Sequence, residues 1–274
     1  MNTIRPLRDA CAVEPLGDGR FSAVLSDYYT ITDGRPNGGY LQTVLGSAAL
    51  AAASAQGSAH QHVTALTTNY IGAPRTGPAE LHTDVRKVGR GVSFVHITLL
   101  QEGVITNESI ATLGTLGAES DLRYADTPMF DIAPLEDCRR STGGDEINIA
   151  KVVDQRFDPA SSGWRDGEIS DKAELKMWLR LDDDDALWSP HSLLFATDAM
   201  PPATFAIGSS GWVPTLQLSS YVRRVPVGEW LRARQWCVVI ADGLVDERCE
   251  MFDERGELVA LGSQLAMVRF PEGK

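Results

Sequence analysis

The sequence predicts an α+β fold of two similar modules, each a long central helix wrapped by an antiparallel sheet. Three observations carry the prediction: a small, apolar helical segment in the first half, runs of alternating residues after it, and the return of that order in the second half. The helical segment is Gly38 to Ser54, with Leu41, Val44, Leu45 and Ala48 at helical spacing after a Pro-Asn-Gly-Gly turn. Strands follow at Val63 to Ala73 and from Ala79 to Leu116. The second stretch contains Val92 to Leu99 in alternation and a turn at Glu102-Gly103.

The second half repeats this order, with a strand at Ala173 to Leu181 and a helix from Pro190 to about Met200. Further strands are expected within Val213 to Pro226 and Glu229 to Phe270. Local landmarks match: Asn69-Tyr70-Ile71 before Gly77 recurs as Ser220-Tyr221-Val222 before Gly228, and the Glu102-Gly103 turn as Arg255-Gly256. One helix wrapped by a meandering sheet, twice in a chain, is a double hotdog. The modules are expected at 1–118 and 173–274, joined by a connecting segment, 119–172. That segment lacks periodicity and holds Thr127-Pro128, Ser141-Thr142-Gly143-Gly144 and Ser161-Ser162-Gly163. Connections this long usually pack in part on the fold, and Asn148 to Phe157 is a candidate strand.

Composition narrows the function. The 274 residues are 43% hydrophobic and 23% charged, an ordinary globular balance. No apolar run reaches the roughly 18 residues of a membrane span, and the start carries no signal-like stretch, so a cytoplasmic protein is expected. Cys11, Cys138, Cys237 and Cys249 have no metal-ligand spacing and are expected to be unpaired thiols. A net charge of −12 disfavours nucleic acid, whose phosphates need clustered cations. Arg223-Arg224 or the stretch Arg86 to Arg90 could supply a local basic patch, although solvated strand ends are the plainer reading. Asp182 to Asp185 reads as a solvated loop rather than a metal site, since adjacent side chains do not converge on one ion; neither metal nor cofactor is expected.

The informative residues are polar ones on apolar faces. Ser189-Pro190 is a helix start, and Asp198 lies on the face of the inward-pointing Leu194 and Phe195, where an unpaired carboxylate is costly. In the next strand Thr215, Gln217, Ser219 and Tyr221 share one face by simple alternation. Gln264 shares a face with Leu258, Ala260, Ala266 and Val268, and a buried amide needs a partner. Asp198, Thr215 and Gln264 could satisfy each other around one water molecule. By the landmarks of the repeat they answer to Val44, about Thr64 and about Ala111, so the polar set belongs to the second module alone.

With these residues in place the chain resembles the acyl-CoA thioesterase II family from Phe21 to Arg269. The resemblance rests on Asn37-Gly38-Gly39-Tyr40, Phe195-Ala196-Thr197-Asp198, Pro214-Thr215-Leu216, Gly262-Ser263-Gln264 and Met267-Val268-Arg269. It implies an acyl-CoA substrate and a water held and activated by Asp198, Thr215 and Gln264, with Asp198 as general base or as the acceptor that orients the water. It also implies a backbone N–H at a helix start that polarises the carbonyl, for which Gly38 and Gly39 are the candidates; tight packing at the turn is the plainer role for both. One departure is Gln217-Leu218, where many relatives carry Asp-His, which bears on the acyl pocket more than on the water site. The five histidines are scattered, and no Gly-x-Ser-x-Gly, His-Glu-x-x-His or phosphate-binding loop occurs. Alternatives are a double-hotdog hydratase or dehydratase, whose paired Asp and His are not met by Asp33 and Asn37, and a non-catalytic acyl-CoA-binding protein. A homodimer is the expected assembly.

Overall fold

Alternation along each strand sets one apolar face inward, and two mirrored sets of strands meet edge to edge around the helices. The computed structural model describes residues 6–117, 123–141, 147–182 and 187–271. Thr142-Gly143-Gly144, Asp183 to Asp185 and the expected boundary at 118 and 119 lie outside the described residues. The first half carries α1 (Leu7–Ala10), β1 (Glu14–Gly17), β2 (Arg20–Leu25), α2 (Gly38–Ala55), β3 (His62–Tyr70), β4 (Gly77–Lys87), β5 (Ser93–Gln101) and β6 (Val104–Gly114). After it come β7 (Arg139–Arg140), β8 (Val153–Phe157), β9 (Glu174–Leu181), α3 (Leu193–Ala196), β10 (Thr215–Val222), β11 (Leu231–Ala241), β12 (Leu244–Phe252) and β13 (Leu258–Met267).

The described strands form one antiparallel sheet in the order β1-β2-β4-β5-β6-β3-β10-β13-β12-β11-β9-β8-β7. Reading outward from the central β3–β10 pair, β3-β6-β5-β4-β2-β1 is answered by β10-β13-β12-β11-β9-β8, with β7 added at the second edge, so the sheet itself records the duplication. At its centre the hydroxyls of Thr67 and Ser219, paired across the two strands, hydrogen-bond at 2.9 Å. Of the candidate strand Asn148 to Phe157, only Val153–Phe157 joins the sheet, and Asn148–Lys151 is a 3-10 turn.

The helix α2 is apolar almost all round and sits in the core, with Tyr40, Leu41, Val44, Leu45 and Ala48 buried. Asn37 caps it by accepting from the Tyr40 N–H at 2.9 Å. The facing helix is shorter than the expected Pro190 to Met200. Ser189 and Ser192 cap its start reciprocally through side chain and backbone N–H. Bonds of the tight three-residue type then close it at Asp198 and Ala199, and Pro201 and Pro202 bring no donor to continue it. Only Leu193–Ala196 is regular α-helix.

One landmark of the repeat was a one-residue slip. Tyr70 turns inward, its hydroxyl donating to the Gly38 carbonyl at 2.8 Å, whereas Tyr221 is 44% exposed on the other face. In a strand, a shift of one residue exchanges the two faces.

Candidate active site

Asp198 follows α3 and meets the first turn of α2. Its Oδ2 accepts from the Gly39 N–H and from Asn37 Nδ2, both at 3.0 Å, and Asn37 Nδ2 also donates to the Asp198 carbonyl at 2.8 Å. No hydrogen bond from the described residues reaches Oδ1, and the partly exposed side chain lines a cavity. Burial pushes its carboxyl up to about 7, and Glu247 adds to the rise; the N–H groups of Gly39 and Gly38 and the amide of Asn37 oppose it. The close approach requires glycine: a Cβ on Gly38 would lie 2.9 Å from Asp198 Oδ2, and one on Gly39 would lie 2.6 Å from the Phe195 carbonyl oxygen. The Gly39 N–H is therefore committed to Asp198, while Gly38 lines the cavity.

Thr215 and Gln264 meet directly. The Thr215 hydroxyl donates to Gln264 Oε1 at 2.8 Å, and neither residue hydrogen-bonds Asp198; all three line the same cavity. Simple alternation put Thr215 with Gln217, Ser219 and Tyr221, but a β-bulge between Thr215 and Gln217 reverses that phase. Thr215 thus reaches the inner side that Leu218, Ser220 and Val222 also face.

Behind Gln264 stands a residue that the sequence reading passed over. Gln264 Nε2 donates at 2.6 Å to Oε2 of Glu247, which is 1% exposed. Gln235 Nε2 donates to the same oxygen at 3.1 Å, and Oε1 takes the Ala203 N–H at 2.8 Å and the Cys237 thiol at 3.6 Å. Burial raises the Glu247 carboxyl, and the donors, Gln264 first, pull it back. A buried carboxylate held by uncharged donors costs several kcal/mol of desolvation that a hydrophobic residue would not incur.

The first module shows the hydrophobic solution. Val63 pairs with Leu113 before a bulge, as Thr215 pairs with Ala266 before its own. Following the ladders from those bulges, Gln264 corresponds to Ala111 and its neighbour Glu247 to Val95, while Cys237 corresponds to Val85. The counterpart of Thr215 is Val63 rather than Thr64. Val63, Val95 and Ala111 are buried and close-packed, so the fold does not require the polar set.

The cavity measures about 620 Å³, and buried Leu41, Ile149, Phe157 and Met200 contribute to its wall. Two cations line it. The Arg35 guanidinium lies 4.4 Å from the ring centroid of Trp212, which is 40% exposed and marks the opening. Arg165 lies 4.7 Å over Phe157, with a buried Nη1 that has no hydrogen-bond partner among the described residues. The anticipated basic patches are elsewhere: Arg224 pairs with Glu257 and Arg86 with Asp84, and neither lines the cavity.

Among the described residues no histidine lines the cavity, and no group of His, Cys, Asp or Glu converges as metal ligands would. Burial lowers His191 to about 4, and its Nε2 meets the Ser47 hydroxyl at 3.0 Å, away from the cavity lining. The four cysteines are free thiols, and no described helix is long and apolar enough to cross a membrane.

A mirrored antiparallel sheet around two facing helices, with a carboxylate, a hydroxyl and an amide on one cavity, defines a double-hotdog protein. Comparison with known proteins agrees and narrows the class. Residues 25–116 match the acyl-CoA thioesterase N-terminal domain and residues 132–268 the acyl-CoA thioesterase C-terminal domain, and the chain belongs to this family. It is similar to a solved candidate thioesterase II of Thermobifida fusca, 33% identical with a TM-score of 0.86 over 96% of this chain and 97% of the other. An acyl-CoA thioesterase II of Mycobacterium marinum shares the fold at 17% identity and a TM-score of 0.71, over 98% and 100% of the two chains. An uncharacterized protein of Mycobacterium tuberculosis is 27% identical over 272 residues, 90% of each chain.

Proposed function

We propose that the protein hydrolyses an acyl-CoA thioester with a water molecule held between Asp198, Thr215 and Gln264. The observation that carries this reading is that Asp198 Oδ1, which takes no hydrogen bond from the described residues, belongs to a side chain on the cavity that Thr215 and Gln264 also line. A carboxyl near 7 is about half ionised at neutral pH, which suits a general base. In the proposed step Asp198 takes a proton as the water oxygen bonds to the thioester carbon. The C–S bond then breaks, and the proton passes from Asp198 to the departing thiolate, whose ordinary pKa of about 8.5 makes that transfer downhill. Gly38, whose N–H also faces the Asp198 carboxyl, is the proposed donor to the developing oxyanion and would be shared between the two; Gly39 secures the base.

The apolar wall suits an acyl chain, and Arg35 at the opening suits the phosphates of CoA despite the net charge of −12. The absence of a histidine from the described lining counts against the hydratase alternative. The division into modules at 1–118 and 173–274, with 119–172 between them, is proposed on the same footing. The test is CoA release, followed with a thiol reagent across acyl-CoAs of rising chain length. Release from at least one chain length supports the reading. Binding without release from any would favour an acyl-CoA-binding role.

A further inference from the structure

We infer that Glu247 is a positioning residue: its carboxylate holds the Gln264 amide with Oε1 toward Thr215, forcing the Thr215 hydroxyl to donate inward and turn its lone pairs to the reacting water. The inference rests on the hydrolase reading for its consequence and on geometry for its mechanism. Oε2 is marked as an acceptor by Gln235, whose Nε2 donates to it and also to the Pro201 carbonyl oxygen at 3.4 Å, so at 2.6 Å it selects the Nε2 side of the Gln264 amide; the flipped amide would set two acceptors against each other. With the amide fixed, its oxygen faces Thr215 at 2.8 Å, and the hydroxyl proton is committed to it. The water then finds acceptors in both Thr215 Oγ1 and Asp198 Oδ1. Each accepts a hydrogen bond from the water, only Asp198 goes on to take a proton, and an oxygen lone pair is left for the thioester carbon.

The remaining contacts of Glu247 have the same sense. Gln235 also donates to Oε2, and the Ala203 N–H and Cys237 thiol occupy Oε1, so the carboxylate is held against rotation. Glu247 itself is not among the cavity-lining residues; its hydrogen bonds reach the lining at Gln264 and Gln235, and Gln264 is the one that meets Thr215. The first module sets Val95, Ala111 and Val63 in the corresponding places, so neither the sheet nor its packing calls for this chain of polar residues. Its presence in the second module alone follows the one candidate site.

The experiment is a cycle of Glu247→Gln, Gln264→Ala and the double variant, with kcat and KM measured for each. Glu247→Gln is expected to lower kcat by about tenfold or more with KM within about threefold of the wild type. Measured well above pH 7, where Asp198 is ionised in every variant and the charge of Glu247 no longer sets its protonation, the double variant should be no slower than Gln264→Ala, because Glu247 then acts through that amide. Glu247→Val combined with Gln264→Ala copies the pair already packed in the first module and gives a second variant, whose fold is checked by chemical unfolding before its turnover is read. Equal losses from Glu247→Gln with and without the Gln264 amide, or an unchanged kcat, would overturn the inference. The side-chain amide proton of Gln264, followed by NMR, tests the orientation without turnover: a downfield, exchange-protected signal lost in Glu247→Gln supports it, and an unmoved signal overturns it. Failure of the wild type to release CoA, with that signal in place, counts against hydrolysis and leaves the geometry standing.

Discussion

Replacing Asp198 by Asn should slow turnover by at least about a hundredfold and yet stabilise the protein at alkaline pH. Both side-chain hydrogen bonds to Asp198 end on Oδ2, so an Asn oxygen can take them both and turn its NH2 toward the cavity without a clash of donors. The folded carboxyl titrates at about 7 against an ordinary value of 3.8. Below the ordinary value the group is protonated whether folded or unfolded, and no difference arises. Between the two values the unfolded chain ionises first, so wild-type stability falls as pH rises, and above about 7 the full cost is present. Each pKa unit is worth about 1.4 kcal/mol, and screening through the open side of the cavity reduces the total, which gives about 2–4 kcal/mol. Urea unfolding of both proteins from pH 4 to 9 measures the difference, which removes titrations common to the two. The gap should open in favour of Asn between pH 4 and 7 and then level off. A gap that does not change with pH, or a variant less stable at pH 9, would refute a desolvated carboxylate at this position.

Other expectations follow from the same geometry. Gly39→Ala should destabilise the protein by about 1–3 kcal/mol in chemical unfolding and displace Asp198, because the added carbon meets a backbone carbonyl rather than a yielding side chain. Arg35→Ala should raise KM by about tenfold with kcat nearly unchanged, as expected for loss of a charged contact to the substrate handle; an unchanged KM would remove Arg35 from binding. Arg165→Ala, assayed across substrates with neutral and anionic acyl ends, should affect only those that bring an anion to Nη1, which has no partner among the described residues. Gln264→Ala should lower kcat by about a hundredfold while the fold persists, since Ala111 fills the corresponding place in the first module.

Much of this architecture was legible in the sequence because hydrophobic period reports directly on packing. The Gly38–Ala55 helix and the alternating strand Ser93–Gln101 were visible in that way. Asp198 was legible for the same reason, as a carboxylate on the face of Leu194 and Phe195. The bulge beside Leu216 was not, because an inserted residue leaves no compositional mark, and it alone decides which way Thr215 points. Glu247 was hidden among Asp246, Arg248 and Glu250, a run that resembles a solvated face. The available signal was its alternation with Val245, Cys249 and Met251, all of which are buried. Asn37 was read as part of a turn, and its bonds to Asp198 depend on a contact between distant parts of the chain that no local pattern records.

The most direct measurement is the pH dependence of kcat/KM for CoA release, for the wild type and Asp198→Asn side by side. The wild-type value should rise through an apparent pKa near 7 as the carboxyl ionises, and the variant should be at least about a hundredfold slower and without that rise. A variant that releases CoA at the wild-type rate, with the same pH profile, would contradict Asp198 as the base.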